Sequence, residues 1–253
     1  MNTHNELLSN EEYLRYNRQI ILKNFDFDGQ EALKQSRVLI IGAGGLGCAA
    51  SQYLTCAGVG SITLVDDDVV ELSNLQRQVL HTDQDIGRMK VDSAADALRQ
   101  LNPHLKIETI AQRLDDSELL TLIREHHAVL DASDNIATRN QLNKLCFQSK
   151  TPLISGAAIR MEGFLSVFTY QADEPCYQCF SALFGNHAPT CVESGVLAPV
   201  VGIIGTMQAL ETIKVLANYG QPLRGKVLLL DAITLSWQEM KLTKRKQCPV
   251  CHS

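Results

Sequence analysis

Val38-Leu39-Ile40-Ile41 runs straight into Gly42-Ala43-Gly44-Gly45-Leu46-Gly47, and the fold is decided at that junction. A short, unbroken apolar run is the mark of a strand buried on both faces. The spacing Gly42-x-Gly44-x-x-Gly47 that follows, opening a helix through Ala57, has the form of a phosphate-binding turn. Glycine lets the backbone approach a pyrophosphate, and the helix N-terminus supplies free N–H groups and the positive end of a dipole. A tight turn that only packs strand on helix has the same pattern, so the motif needs context. Asp66 provides it, closing the next buried strand, 62–65, at 24 positions after Gly42, near the spacing of an acid that binds ribose hydroxyls. Of the three carboxylates in Asp66-Asp67-Asp68, at least one reads as simply solvated.

Outward from the junction, strand and helix alternate. The spacing predicts a helix over 91–101, strands over 106–110 and 128–130, and a helix over 139–148. Such alternation predicts a parallel sheet with right-handed crossovers. Upstream, Ser9 and Glu12 form a capping box for a helix over 10–24, with Tyr13, Tyr16 and Ile20 on one face and Arg15 and Arg18 free to reach outward. Downstream of Pro152 the pattern changes. Residues 163–170 alternate like a strand of a mixed sheet, 173–199 read as loop, 199–217 as an apolar helix, and 226–230 with 236–242 as a hairpin. The expected architecture is thus α/β, a Rossmann-like doubly wound and mostly parallel sheet extended by antiparallel strands. No linker separates autonomous units, so residues 1–253 are expected to form one domain: an N-terminal helical arm (1–30), a nucleotide-binding half (36–150) and a mixed-sheet half (151–253).

The composition excludes several classes. The 253 residues are 45% hydrophobic with a formal net charge of −5, which argues against disorder and against general nucleic-acid affinity. Charged or amide side chains interrupt every stretch that could approach a membrane span. The polar, acidic start lacks the pattern of a signal peptide, which predicts a cytoplasmic protein without a membrane partner.

Eight cysteines are many for such a chain. Cys176-x-x-Cys179 and Cys248-x-x-Cys251 each offer two thiolates, and two such pairs complete a closed, structural Cys₄ zinc site. The fold must then bring the tail back onto the mid-chain loop. Cys248-Pro249-Val250-Cys251-His252 also matches a haem-attachment pattern, and either pair could be redox-active, but neither alternative accounts for both pairs. Cys48, Cys56 and Cys146 read as small core hydrophobes. Cys191 stands in a polar, Gly-flanked loop where an accessible thiol or an incidental cysteine could sit.

Cations gather in candidate loop positions: Arg77 in Ser73-Asn74-Leu75-Gln76-Arg77, Lys90 after Gly87-Arg88-Met89, and Arg18 off the first helix. Asp134 lies just past the end of a strand, on the rim where open α/β sheets bind ligands. Extra cations with a rim carboxylate suit a triphosphate with Mg²⁺, held by Asp134, better than a dinucleotide.

These residues, taken as a set, resemble the E1-like (ubiquitin-activating) ThiF/MoeB/HesA family. The resemblance covers residues 11–251 and rests on Arg15-Tyr16-Asn17-Arg18-Gln19-Ile20, the glycine turn, Ser73-Asn74-Leu75-Gln76-Arg77-Gln78, Asp134-Asn135, Ser155-Gly156-Ala157-Ala158-Ile159-Arg160 and both CxxC pairs. Phe25-Asp26-Phe27-Asp28-Gly29-Gln30 and residues 156–163 resemble the branch serving molybdenum-cofactor biosynthesis, with the thiamine-pathway branch as the alternative. The resemblance implies an adenylyltransferase that activates the C-terminal Gly-Gly of a small ubiquitin-fold sulfur-carrier protein. It implies ATP on the turn of Gly42, Gly44, Gly45 and Gly47, with Asp66 at the ribose. Asn74, Arg77 and Lys90 would contact the phosphates, Ser73, Leu75, Gln76 and Asn135 would belong to the same nucleotide site, and Asp134 would coordinate Mg²⁺. It further implies a homodimer in which Arg18 enters the partner's site, and a separate sulfur-donor protein. It leaves open whether Cys191 accepts the activated acyl group. An NAD-dependent oxidoreductase on the same turn would leave Arg77, Lys90, Asp134 and the Cys₄ site without work. A zinc-stabilised protein that merely holds nucleotide is the non-catalytic alternative, told apart by an Asp134→Ala variant that keeps partner affinity in a binder and loses adenylation in an enzyme.

Overall fold

The computed structural model describes residues 7–183 and 195–252, and the opening junction is its centre. Strand β1 (Arg37–Ile41) pairs in parallel with β2 (Ser61–Val65) on one side and β4 (Ala128–Asp131) on the other. With β3 (Lys106–Ile110), β5 (Leu153–Ile159), β6 (Glu162–Phe168), β7 (Lys226–Asp231) and β8 (Ser236–Lys241), they form one sheet in the order β3-β2-β1-β4-β5-β6-β7-β8. The first five strands run parallel. From β5 onward each neighbour is antiparallel, through β5–β6, β6–β7 and the β7–β8 hairpin.

Helices cover both faces. Helix α1 (Asn10–Ile20) opens on the expected capping box of Ser9 and Glu12. Helices α3 (Gly45–Ala57), α4 (Lys90–Leu101) and α8 (Ala198–Leu216) bury one face with Leu46, Leu54, Val91, Leu98, Val201 and Ile204. Helices α5 (Asp116–Arg124), α6 (Ile136–Ser149) and α7 (Tyr177–Ser181) cover the other, where Leu119, Ile123, Leu142, Tyr177 and Phe180 pack. Among the described residues only α8 is long and apolar enough to cross a membrane, and it packs on α3 and the sheet.

The chain departs from its sequence-based reading in several places. The first helix ends at Ile20 rather than near Asn24, because Asn24 and Asp26 turn the backbone left-handed, at φ 67° and 49°. A second helix, α2 (Asp26–Gln35), follows that break. Arg15 is not free: its Nη1 donates to the Leu101 carbonyl at 3.1 Å. The stretch read as loop contains α7, whose first turn carries Cys179. Cys56 is exposed on α3, whereas Cys48 and Cys146 are buried as expected.

The arm is anchored to the nucleotide-binding half by buried amides. Asn102 Nδ2 donates to the Tyr16 hydroxyl and the Thr55 carbonyl, both at 2.8 Å. Gln30 Nε2 donates to the Ala57 carbonyl at 2.9 Å. These bonds close the C-terminal end of α3, where Gly58 adopts φ 88° and caps the helix.

Candidate functional site

The order of the sheet reverses between β1 and β4, the switch point at which open α/β sheets bind ligands. The register places Ile41 beside Asp131, so the glycine turn and residues 132–135 leave the sheet side by side. The glycines divide by task. Gly42 has φ 105°, and a Cβ there would lie 2.6 Å from the Ala132 carbonyl. A Cβ on Gly45 would lie 2.4 Å from Val201 Cγ1, and one on Gly47 would meet the Gly42 carbonyl at 1.9 Å. Gly44 alone faces room, its nearest neighbour being Gln78 Nε2 at 3.7 Å. Gly47 is therefore a packing residue, and it does not line the cleft. Gly47→Ala is expected to destabilise the fold by about 1–3 kcal/mol or more, because the obstacle is backbone that cannot rotate away. Denaturant unfolding checks it, and a midpoint equal to the unsubstituted protein's would contradict the packing argument.

Asp66 is tied to the turn. Its Oδ2 accepts from the Ala43 N–H at 2.6 Å and its Oδ1 from the Asp68 N–H at 2.8 Å. Burial raises its pKa above the usual carboxylate range, against the pull of those two N–H groups.

In front of the turn lies a cleft of about 660 Å³. Of the residues singled out in the sequence, Gly42, Gly44, Gly45, Asp66, Asn74, Arg77, Lys90, Asp134 and Asn135 line it. Lys90 is the first residue of α4 rather than part of a loop, and its largely buried Nζ pairs with Asp68 Oδ2 at 2.7 Å. Arg77 Nη1 donates to the Ser73 carbonyl at 3.1 Å. Asp134 is exposed at the mouth. Asn135 caps α6, its side chain accepting from the Thr138 N–H at 2.9 Å. Ser73, Leu75 and Gln76 build the turn that carries Arg77 but do not face the cleft, and Arg18 is exposed on α1 away from it. Cys191 lies outside the described residues.

The sequence reading missed Arg139, which lines the same cleft from the first turns of α6. Its Nη2 donates to the Ser133 carbonyl at 2.8 Å, and its guanidinium lies 5.5 Å over the Phe164 ring. The signal available was the cap: Asn135 at the start of α6 sets Arg139 one turn on, above the same rim. Gln112, Arg113 and Asp116 close the far wall and carried no motif. Taken together, Gly44's open backbone, the cations Arg77, Lys90, Arg113 and Arg139, the Asn74 amide and the rim carboxylate of Asp134 converge on one volume. That arrangement can hold a polyphosphate with its counterion.

A second constellation sits on the face of the sheet covered by α5, α6 and α7. The Sγ atoms of Cys176, Cys179, Cys248 and Cys251 all lie within 4.8 Å of one another. Cys176 and Cys248 are 3.6 Å apart and Cys179 and Cys251 3.5 Å, far beyond a disulfide bond. Metal–thiolate bonds of about 2.3 Å in a tetrahedron put sulfurs about 3.8 Å apart, so the four could hold one ion. Burial pushes Cys176 up to about 11 and Cys251 higher still, whereas hydrogen bonds from the Cys251 and Val250 N–H groups, against burial, bring Cys248 down to about 7. Two further N–H donors face the sulfurs: Arg245 N at 3.4 Å from Cys179 Sγ, and Asn143 Nδ2 at 3.6 Å from Cys176 Sγ.

The ThiF family pattern matches residues 16–250. The chain is 62% identical over 244 residues to the molybdopterin-synthase adenylyltransferase of Escherichia coli K12, covering 96% of this chain and 98% of that protein. It is 57% identical to the enzyme of the same name from Haemophilus influenzae, over 93% of this chain and 97% of that one. The adenylyltransferase and sulfurtransferase MOCS3 of Drosophila virilis is 44% identical over 96% of this chain, which spans 55% of that longer protein. Among solved structures, E. coli MccB with ATP shares the fold at a TM-score of 0.81 and 24% identity, covering 97% of this chain and 75% of that one.

Proposed function

The chain belongs to the ThiF family, and from that premise we propose that it transfers the adenylyl group of ATP to the C-terminal glycine of a small ubiquitin-fold sulfur-carrier protein, the small subunit of molybdopterin synthase. It is an adenylyltransferase of molybdenum-cofactor biosynthesis. The observation that carries the residue assignment is the convergence of Arg77, Lys90, Asn74 and Asp134 on the open backbone of Gly44.

The attacking group needs no general base, since a C-terminal carboxylate with a pKa of about 3.3–3.7 is ionised at neutral pH. One of its oxygens bonds to the α-phosphorus as the bond from that phosphorus to the bridging oxygen breaks. The electron pair leaves with pyrophosphate, and the other product is the acyl-adenylate. The protein's contribution is placement and charge. The N–H groups of Gly44 and Gly45, with Asn74, Arg77 and Lys90, take the phosphates. Asp66 stands at the ribose side. Asp134 offers a carboxylate to the Mg²⁺ that accompanies ATP. Arg18, exposed and remote from this chain's own cleft, is assigned to the cleft of a second copy in a homodimer. The four cysteines hold a structural Zn²⁺, the usual occupant of a closed Cys₄ site. Sulfur reaches the adenylate from a separate donor protein, in the cytoplasm.

The test is ATP–pyrophosphate exchange. Exchange that depends on a Gly-Gly-ended carrier is expected, with the molybdopterin-synthase small subunit preferred over the thiamine-pathway carrier. Absence of carrier-dependent exchange would overturn the assignment, and a preference for the thiamine-pathway carrier would overturn the choice of substrate.

A further inference from the structure

A buried histidine beneath the glycine turn has no part in the scheme above. His81 follows the turn that carries Arg77, and its ring is 5% exposed. Its Nε2 lies 3.1 Å from the carbonyl oxygen of Ala43, and its Nδ1 lies 2.8 Å from the hydroxyl of Ser93. A carbonyl oxygen only accepts, so Nε2 carries the proton, and Nδ1 accepts from the Ser93 hydroxyl. Burial lowers the ring's pKa below the ordinary histidine value, in keeping with a neutral imidazole. Cys48 Sγ, a thiol pushed up to about 12 by burial, donates weakly to the same carbonyl at 3.4 Å.

The consequence lies in the next peptide unit. In a trans peptide the C=O and the following N–H point in opposite directions. Drawing the Ala43 carbonyl inward therefore turns the Gly44 N–H outward, and Gly44 is the glycine that faces open room. On the other side of Ala43, its own N–H is held by Asp66. The second partner of His81 matters as much. Ser93 lies on α4, one turn after Lys90, so a single imidazole links the phosphate turn to the helix that begins with the buried lysine.

We infer that His81 is a positioning residue for the nucleotide: through Ser93 and the Ala43 carbonyl it aims the Gly44 N–H into the cleft and keeps the Lys90 helix in register with the turn. The inference rests on the assignment of ATP to this cleft. His81 itself touches no substrate. A residue that only filled space would need none of its polar contacts, and a leucine of similar volume would leave the Ala43 carbonyl with the thiol alone.

The experiment compares the unsubstituted protein with His81→Ala, His81→Gln and Ser93→Ala. Pyrophosphate exchange is measured with ATP varied at saturating carrier and with carrier varied at saturating ATP, and ATP binding is measured by calorimetry without carrier. His81→Ala is expected to raise the KM and Kd for ATP about tenfold, the scale of one buried hydrogen bond lost, while the KM for carrier stays within about twofold. His81→Gln, whose amide N–H can reach the same carbonyl, is expected to recover most of that loss. Ser93→Ala, which empties little volume, is expected to weaken ATP binding about threefold in the same direction. If His81→Ala does not fold, His81→Gln and Ser93→Ala decide the matter. An unchanged Kd for ATP in folded His81→Ala or in Ser93→Ala, an equal rise in both KM values, or a His81→Gln no better than His81→Ala, each overturns the inference. Failure of the adenylation assignment looks different: the unsubstituted protein shows no carrier-dependent exchange, and the calorimetric comparison still decides the role of His81.

Discussion

Replacing Lys90 by alanine is expected to lower carrier-dependent pyrophosphate exchange by about 10²–10³-fold, the usual cost of removing one preorganised charge at a reacting centre. The size follows from where the ammonium sits. Its side chain is 8% exposed, at the first position of α4, and pairs with Asp68, whose own side chain is 66% exposed. A buried cation against a solvated anion is lopsided. Removing the lysine leaves Asp68 free to be hydrated, so the fold loses little, while a polyphosphate in the cleft loses a charge held at low dielectric. The loss should fall mainly on kcat rather than on the KM for ATP, because negative charge accumulates as pyrophosphate departs. Lys90→Arg should not restore the rate, since a planar guanidinium cannot occupy a slot shaped for a compact ammonium. Exchange kinetics with thermal unfolding as a companion measurement check this. Activity within about threefold of the unsubstituted protein would remove Lys90 from the reaction.

Cys248→Ala is expected to have the second large effect, on stability. The tail containing Cys248 and Cys251 returns to α7 through the sulfur cluster, through the Arg245 N–H on Cys179 and through Lys244 Nζ on the Ala172 carbonyl at 2.7 Å. Without Cys248 and the metal, the three remaining buried sulfurs have little reason to stay together. Structural metal binding is also folding free energy, and here it closes a long loop. Loss of several kcal/mol in a protein of this size corresponds to a fall in melting temperature of about 10 °C. Metal analysis should show the ion lost, and a chelator should lower the melting temperature of the unsubstituted protein similarly. The ligands must be deprotonated to bind, so release should be favoured as pH falls. A variant that keeps its metal, or melts within about 2 °C of the unsubstituted protein, would show that the cluster is not a structural centre.

The parts of the fold that could be read from the sequence are those where local pattern and tertiary role coincide. Strand β3, half-exposed at the edge of the sheet, is read over its observed span from its place in the strand–helix alternation. Strands β1 and β2 are read to within one residue of their observed spans, because strands buried on both faces must be apolar throughout. Strand β5 was missed for the opposite reason. The middle of Leu153–Ile159, Ser155-Gly156-Ala157-Ala158, is made of small residues where α8 lies close, and a Cβ on Gly156 would sit 2.7 Å from the Gln208 side chain. Helix α2 has no side-chain cap and is entered through two left-handed residues, so neither signal of a helix start is present. At the site, the glycine turn, Asp66 and the Asp134-Asn135 rim announce themselves by spacing. Arg139 is signalled only by its place one turn after the Asn135 cap, because what aims it, the Phe164 ring and the Ser133 carbonyl, is a matter of tertiary contact. The four cysteines were legible as a set, although nothing local says that residue 248 returns to residue 176.

The close seat of α3 on α8 bears on when the protein becomes competent, not only on what it holds. Gly45 abuts Val201 and Gly205 abuts the Leu46 carbonyl, so the start of the phosphate turn is shaped by a helix from far along the chain. Contacts between such distant segments carry the loop-closure entropy that slows folding. The strands and helices of the first half can form from local and intermediate contacts. Their binding groove reaches its working shape only after α8 has docked. With ATP assigned to this cleft, a chain that has built its parallel sheet but not yet docked α8 is expected to hold the nucleotide poorly, which makes binding a late event in folding.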